Sequence, residues 1–262
     1  MFDTTPDPLC DAVAPPPLAA GAVPRWKRWG DFGLAVPLFI LTIPIILAAI
    51  VVVRLTSRGP GIYTQKRLGH NRRPFTIYKI RTMANNCEAK TGARWATVSD
   101  SRVTRVGRFL RKTHIDELPQ LWNVLRGEMS LVGPRPERPE IVATIEPLVP
   151  GYANRLTVRP GVTGLAQLRL PADTNVESVR RKVRYDAYYA ANLNLWLDVR
   201  LIAATAFKMA GLLRFVRTPL RIPGSKQVET PRVVQFVETI NFETRSTSPS
   251  RESEPDLTSA SI

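Results

Sequence analysis

Cysteine and histidine are scarce in this chain. Its 262 residues include two of each: Cys10 and Cys87, His70 and His114. The cysteines lie far apart, with Cys10 in a tail-like segment, so the sequence carries no disulfide framework and no cysteine metal site. Two histidines also exclude a histidine-rich zinc centre. This usage fits a reducing compartment. The N-terminus lacks the basic start of a signal peptide, and no internal repeat is visible. Acidic charge is short as well. Lys and Arg number 37 against 22 Asp and Glu, for a net charge of +15 and an isoelectric point near 10.6. So basic a chain requires an anionic partner: nucleic acid, a phosphate-bearing small molecule, or the anionic face of a membrane.

A long, strongly apolar run occurs in one place. "FGLAVPLFILTIPIILAAIVVV", Phe32 to Val53, holds 22 residues without a charge, and about 20 suffice to span a bilayer as a straight helix. Pro37 and Pro44 interrupt the run, and a proline inside a helix removes a hydrogen bond and favours a kink. Both flanks are basic: Arg25, Lys27 and Arg28 precede the run, and Arg54, Arg58, Lys66 and Arg67 follow it. Basic flanks stay on the cytoplasmic side. Two readings therefore stand on the residues alone, an ordinary transmembrane anchor and a helix that enters, bends near Pro44 and returns. The expected organisation is a disordered extension over 1–24, a membrane helix over 25–56, a catalytic domain over 57–221 and a loosely ordered tail over 222–262, in which "RVVQFVETINF" is the only apolar part.

Within the middle region, "GIYTQKRLG" and "PFTIYKIRTM" flank "HNRR" and predict a β-hairpin. "SRVTRVGRFLRK" places Val103, Val106 and Leu110 on one helical face. "ELPQLWNVLRG" predicts a short helix ending at Gly127, and "NVESVRRKVRYDAYYAAN" a longer one. "LWLDVRLIAATAFKMAGLLRFVR" is apolar but carries Arg200, Lys208, Arg214 and Arg217, which suits a core helix or one lying among headgroups rather than a span.

Two adjacent carboxylates, Asp116 and Glu117, precede Pro119 and so fall near a helix start. Acids there can simply cap the helix and complement its dipole. Their basic setting offers another role. Arg108, Arg111 and Lys112 would hold the acids ionised, an ionised Asp can attack phosphorus, and a second carboxylate can hold a divalent cation. In "GPRPE", Pro134 and Pro136 stiffen the base of Arg135, whose fork suits phosphate oxygens. "VRPGVTGLAQ" repeats the device at Arg159, with Gly161 and Gly164 permitting close backbone approach. Each Arg-Pro taken singly also reads as a surface turn.

The segments "KRWGDFG", "YTQKRLG", "FTIYKIRTM", "DELPQLWNVLRGEMSLVGPRPE", "VRPGVTGLAQ" and "RYDAYYAANLNLWLDVRLI" run in this order over roughly residues 26–212. Together they resemble the monotopic phosphoglycosyl transferases, a family of bacterial sugar transferases. The resemblance implies an α+β fold: a small, mostly helical catalytic domain with a short β-hairpin, anchored by a re-entrant membrane helix and interfacial amphipathic helices. It implies transfer of a sugar phosphate from a nucleotide diphosphate sugar, usually a uridine one, to a polyprenyl phosphate such as undecaprenyl phosphate. This is the first membrane step of exopolysaccharide, capsule, O-antigen or glycoprotein glycan synthesis. It implies Mg²⁺, the cytoplasmic face of the bacterial inner membrane, contact with anionic lipids, and no nucleic acid. By the same resemblance Asp116 is the nucleophile that forms a covalent phosphosugar intermediate, and Glu117 assists the metal. Arg111, Arg135 and Arg159 belong to the phosphate-binding surface, to which the matching segments add Gln65, Arg67, Lys79, Arg81 and Gln167. The absence of further N-terminal membrane helices makes the chain similar to the family's minimal form. Two departures stand out. Many members have Ser before the helix-breaking proline; here Ile43 precedes Pro44, leaving Thr42 as the nearest hydroxyl. "LRLPADTNVESV" differs from the commonest versions and bears on the choice of sugar. From other classes, a membrane-tethered nucleic-acid-binding protein and a membrane phosphohydrolase with the same Asp remain the rivals.

Overall fold

The computed structural model describes residues 23–85, 87, 100–171, 173, 175–212 and 220–228. The expected N-terminal extension, apart from its last two residues, and the apolar "RVVQFVETINF" segment lie outside the described residues, as do Arg214 and Arg217. The elements alternate in an α+β order with two small sheets.

Helix α1 spans Arg25–Thr56 and is continuous through Pro37 and Pro44. Pro44 has no N–H for the Ile40 carbonyl. The Thr42 hydroxyl does not take that place. It donates to the Leu38 carbonyl at 2.8 Å and to that of Phe39 at 3.2 Å, a back-bonding pattern that bends helices. The C-terminal end is capped from far along the chain. Arg81 donates to the Arg58 carbonyl and to both oxygens of Ser57, all at 2.8 Å, a cation at the negative end of a helix.

Both ends of α1 are fastened to one domain. At the start, buried Lys27 bonds Asp31 at 3.1 Å and Asp198 at 2.8 Å, and Asp31 accepts from the Leu131 amide at 3.2 Å. At the finish, Ala49 and Val53 pack with Ile80 and Leu110. Between these anchor points Ile40 and Leu41 are 62% and 72% exposed, an apolar surface that water does not favour.

The hairpin pairs β1, Ile62–Leu68, with β2, Pro74–Ile80, in register from Ile62 with Ile80 to Leu68 with Pro74. Its turn, His70–Arg72, has Asn71 and Arg72 at φ 52° and 61°, and the Arg72 guanidinium is held by the Glu146 carboxylate. Helix α2, Arg105–Thr113, starts at Thr104, whose hydroxyl accepts from the Gly107 amide at 2.9 Å. A short 3₁₀ turn over Ile115–Glu117 leads into α3, Gln120–Leu125. Gly127, at φ 76°, then turns the chain, as expected for a helix C-terminus.

Strand β3, Ser130–Val132, runs parallel to β4, Gly161–Thr163. Here the two Arg-Pro motifs meet backbone to backbone. A Cβ at Gly133 would collide with the Arg159 carbonyl, and one at Gly164 with the Gly133 carbonyl. The glycines of "VRPGVTG" thus admit the other motif's main chain. Helix α4 is Pro139–Ile145 and α5 is Leu165–Arg169. Helix α6, Val176–Ala191, is opened by a capping box between Asn175 and Ser178, and α7 is Leu195–Met209. The main core gathers Phe75, Leu121, Met129, Val132, Tyr189 and Leu201. Residues beyond 221, expected in a loose tail, are packed as far as the short helix α8, Ser225–Val228. Ile222 and Val228 are buried, because Arg169 holds the Pro223 carbonyl at 2.7 Å and also that of Ile222.

Replacing Asp198 by Ala leaves Lys27 buried with half its partners, and breaking a buried pair costs about 3–5 kcal/mol. Thermal unfolding in detergent is expected to show a large fall in Tm for this variant. Glu177→Ala, which touches only the half-exposed pairs with Arg180 and Arg184, should leave Tm nearly unchanged.

Candidate active site

Asp116 and Glu117 sit in the 3₁₀ turn between α2 and α3. The turn follows His114, whose left-handed backbone at φ 56° ends α2. Neither acid caps α3: its N-cap is Pro119, with no side-chain bond. The capping role is therefore not what these carboxylates perform. Glu117 is gripped by two cations from distant elements. Lys79 on β2 and Arg135 after β3 both donate to its Oε1 at 2.9 Å. Asp116 is 7% exposed and makes no ion pair with the described residues.

The two carboxyls are driven apart. Burial and the adjacent Glu117 charge raise the Asp116 pKa from 3.8 to about 6, against the pull of Lys79, Arg111 and Arg135. This corrects the expectation that neighbouring cations lower it: Arg108 is exposed, and burial outweighs the others. Burial also pushes Glu117 upward, but Arg135 and Lys79 overcome it and hold that carboxyl well below the usual range. The Glu117 charge in turn raises Arg135. Burial lowers Lys79, which Glu117 opposes. The result is one carboxylate locked as an anion and one that is unpaired, more basic and still mostly ionised at neutral pH.

Of the other expected phosphate ligands, Arg111 belongs to this cluster. Its Nε donates to Thr82 Oγ1 at 2.9 Å, and its charge acts on Asp116. Arg67 and Gln65 bond each other, and Arg67 reaches the Pro136 carbonyl at 3.1 Å; they support the loop that presents Arg135. Gln167 donates to the Val162 carbonyl at 3.1 Å. Its own carbonyl accepts from Lys208 at 2.7 Å, and the Lys208 charge reaches His114. Arg81 caps α1 and Arg159 lies with His70, Arg28 and Asp31, so the structure does not bring these two to the carboxylates.

From sequence, Lys208 belonged to a core helix or to one lying among headgroups; tertiary packing brings its charge near His114. Sequence reading missed an apolar groove of ≈ 240 Å³. Phe39, Ile43 and Leu47 of α1 form one wall, Ile62 and Tyr78 of the hairpin another, and Pro119 and Trp122 the third. Phe39 and Trp122 rings lie 5.9 Å apart. Pro119, which lines the groove, follows Glu117 by two residues in the chain.

The site thus combines a buried carboxyl raised to about 6, an anion clamped by Lys and Arg, and an apolar groove along the long apolar helix. Residues 23–211 match the bacterial sugar transferase family, and the chain belongs to it. It is 45% identical over 172 residues, 66% of this chain and 40% of that protein, to the UDP-N-acetylgalactosamine-undecaprenyl-phosphate N-acetylgalactosaminephosphotransferase of Aeromonas hydrophila. It is 41% identical over 186 residues, 70% of this chain and 40% of the other, to a UDP-glucose:undecaprenyl-phosphate glucose-1-phosphate transferase of Klebsiella pneumoniae. Over 191 residues it is 44% identical to a Caulobacter vibrioides protein of that same name, covering 72% of this chain and 71% of that one. The chain thus spans about 40% of the length of the first two relatives.

Removing the buried charge should stabilise the fold. A carboxyl moved from 3.8 to about 6, at about 1.4 kcal/mol per tenfold change in proton affinity, costs about 3 kcal/mol once ionised. The cost is absent below the unfolded value of 3.8 and complete above about 6. In EDTA, Asp116→Asn is expected to unfold at a higher temperature than wild type at pH 8. The two curves should coincide at pH 3.5.

Proposed function

We propose that this protein transfers a sugar phosphate from a nucleotide diphosphate sugar to a polyprenyl phosphate, through a covalent phosphosugar on Asp116. The observation that carries the reading is the division of labour within the carboxylate pair. Glu117 Oε1 accepts from both Lys79 and Arg135 at 2.9 Å, while Asp116 is unpaired among the described residues and raised to about 6. An unpaired, basic carboxylate is the better nucleophile.

In the first half-reaction an Asp116 oxygen attacks the sugar-linked phosphorus. The new aspartyl O–P bond forms as the bond to the nucleoside monophosphate breaks, and the monophosphate leaves with the electron pair. In the second, a phosphate oxygen of the acceptor attacks the same phosphorus. The acyl-phosphate bond breaks and the Asp116 carboxylate returns. Lys79, Arg111 and Arg135 offer positive charge to the phosphoryl oxygens in both steps.

The donor set suits Mg²⁺. No cluster of three or more ligating side chains exists among the described residues, so no all-protein cage forms there. Mg²⁺ commonly takes one or two carboxylates together with substrate phosphates, and Glu117 with Asp116 offers that pair. Bound there, the ion supplies charge neutralisation at the phosphates. The apolar groove favours a lipid acceptor over water, because its lining is aliphatic and aromatic and includes Phe39, Ile43 and Leu47 of α1. The names of the relatives support UDP-sugars and undecaprenyl phosphate as the substrates. No nucleic acid is among the proposed partners, and anionic lipids meet the basic flanks of α1.

The attachment of both ends of α1 to one domain supports a re-entrant helix and a catalytic domain on the cytoplasmic face. At 1.5 Å per residue a straight helix of 32 residues would put its ends about 48 Å apart, beyond a hydrocarbon core of ~30 Å. A span would separate the Lys27–Asp198 pair from the Val53–Leu110 contact by a bilayer.

Asp116→Asn is expected to abolish nucleoside monophosphate release from UDP-sugars in detergent. Mass spectrometry of wild type with donor alone should find the phosphosugar on Asp116, and the rate should rise with pH through about 6. Near wild-type turnover by the Asn variant would sink the nucleophile assignment. Release of free sugar phosphate instead of polyprenyl diphosphate sugar would mark a phosphohydrolase. For topology, a single cysteine at position 22, with Cys10 and Cys87 replaced by Ser, should react with an impermeant reagent only after lysis. Labelling in intact cells would establish a spanning helix.

A further inference from the structure

The segment that presents Arg135 cannot hold itself in place. Pro134 and Pro136 have no N–H to give, so Pro134–Glu137 is tied down through its carbonyls. Each has a donor: the Gly161 amide on Pro134 at 2.8 Å, Arg155 Nη2 on Arg135 at 2.8 Å, Arg67 Nη1 on Pro136 at 3.1 Å and the Leu68 amide on Glu137 at 3.0 Å. Arg155 therefore bonds the main chain of the very residue whose side chain grips Glu117.

Arg155 is 3% exposed and lies in the 3₁₀ turn Tyr152–Leu156. Three contacts fix it independently of the site. Its Nη2 lies 3.0 Å from Asp186, itself 2% exposed. Its Nη1 donates to the Tyr152 hydroxyl at 3.0 Å. Its guanidinium carbon stands 5.2 Å over the Tyr152 ring. Only a planar fork can meet an acid, a phenol and a carbonyl at once. Glu137, at the end of the same segment, is drawn to Lys182 at 2.7 Å, so the buried charges converge on this loop rather than on the substrate face.

We infer that Arg155, braced by Asp186 and Tyr152, is a positioning residue that sets the aim of Arg135 at Glu117 and at the donor's phosphates. The inference rests on the phosphotransfer reading of the carboxylate site. Arg155 touches neither carboxylate; its influence passes through the Arg135 backbone. A misplacement of about 1 Å in such a group costs on the order of 100-fold in rate.

The test is a double-mutant cycle on the full chain in detergent. Arg155→Lys keeps a positive charge facing Asp186 but loses the fork. Circular dichroism and thermal unfolding establish that each variant is folded. Inorganic pyrophosphate with Mg²⁺ is titrated calorimetrically, and nucleoside monophosphate release from a UDP-sugar is measured in parallel. Loss of one charge-assisted contact to the probe is expected to raise its Kd about tenfold, with a rate fall on the order of 100-fold. In an Arg135→Lys background the same substitution is expected to change both by less than about twofold, because the aim it sets is already gone. Equal losses in the two backgrounds, or unchanged pyrophosphate binding by folded Arg155→Lys, would overturn the inference. If Arg155→Lys does not fold, Tyr152→Phe removes one brace only. A smaller loss confined to the Arg135-containing background supports the inference, and no loss or an equal loss in both overturns it. If wild type releases no monophosphate from any UDP-sugar, the proposed function fails while the pyrophosphate arm still decides the role of Arg155.

Discussion

The pairing of Glu117 with Lys79 and Arg135 is the constraint on which the carboxylate site depends. Two adjacent carboxylates buried together repel each other, and burial penalises both charges. The conflict is resolved unequally. Two cations on one oxygen hold Glu117 as an anion, and its fixed charge, with burial, raises Asp116 to about 6. The same ion pairs join the hairpin, the turn after α2 and the loop after β3, so the charges that tune Asp116 also gather the elements around it.

Behind this centre the fold brings the two Arg-Pro motifs together without giving them the same role. Gly133, Gly161 and Gly164 let the loops cross at main-chain distance. This crossing places the Arg135 segment against β4, where the Gly161 amide holds the Pro134 carbonyl. Arg135 reaches Glu117, but Arg159 is carried toward the start of α1 and His70. Proline adjoins both arginines, but Arg135 follows β3 and Arg159 precedes β4, so they lie beyond opposite ends of a parallel pair.

The membrane helix is integrated with the catalytic domain rather than appended to it. Lys27, Asp31 and Asp198 form a buried cluster that reaches β3 through the Leu131 amide. Tyr189 adds bonds to Asp198 at 2.8 Å and to the Val132 carbonyl at 2.9 Å. Strand β3 leads directly into the Arg135 segment, so the foot of the helix and the loop that grips Glu117 share one strand. The middle of α1 supplies a wall of the apolar groove.

Much of the local structure was legible in the residues. β-Forming segments on either side of "HNRR" marked the hairpin, the uncharged run marked α1, and residue patterns marked α2, α3, α6 and α7, with Gly127 ending α3, because such signals act over a few neighbours. The motif "DELPQLWNVLRGEMSLVGPRPE" marked Asp116, Glu117 and Arg135 as well. What the residues could not show was which charges meet. Arg81 and Lys79 lie two positions apart on one strand edge, yet Lys79 joins Glu117 and Arg81 caps a helix 23 residues upstream. Arg155 and Asp186 look like two ordinary surface charges in sequence and are a buried pair at 3.0 Å. Sequence alone determined the elements and the chemical groups available, since these follow from short-range patterns. Tertiary structure alone decided the ionisation of Asp116 and the partners of each arginine, since burial and long-range pairing depend on residues far apart in the chain.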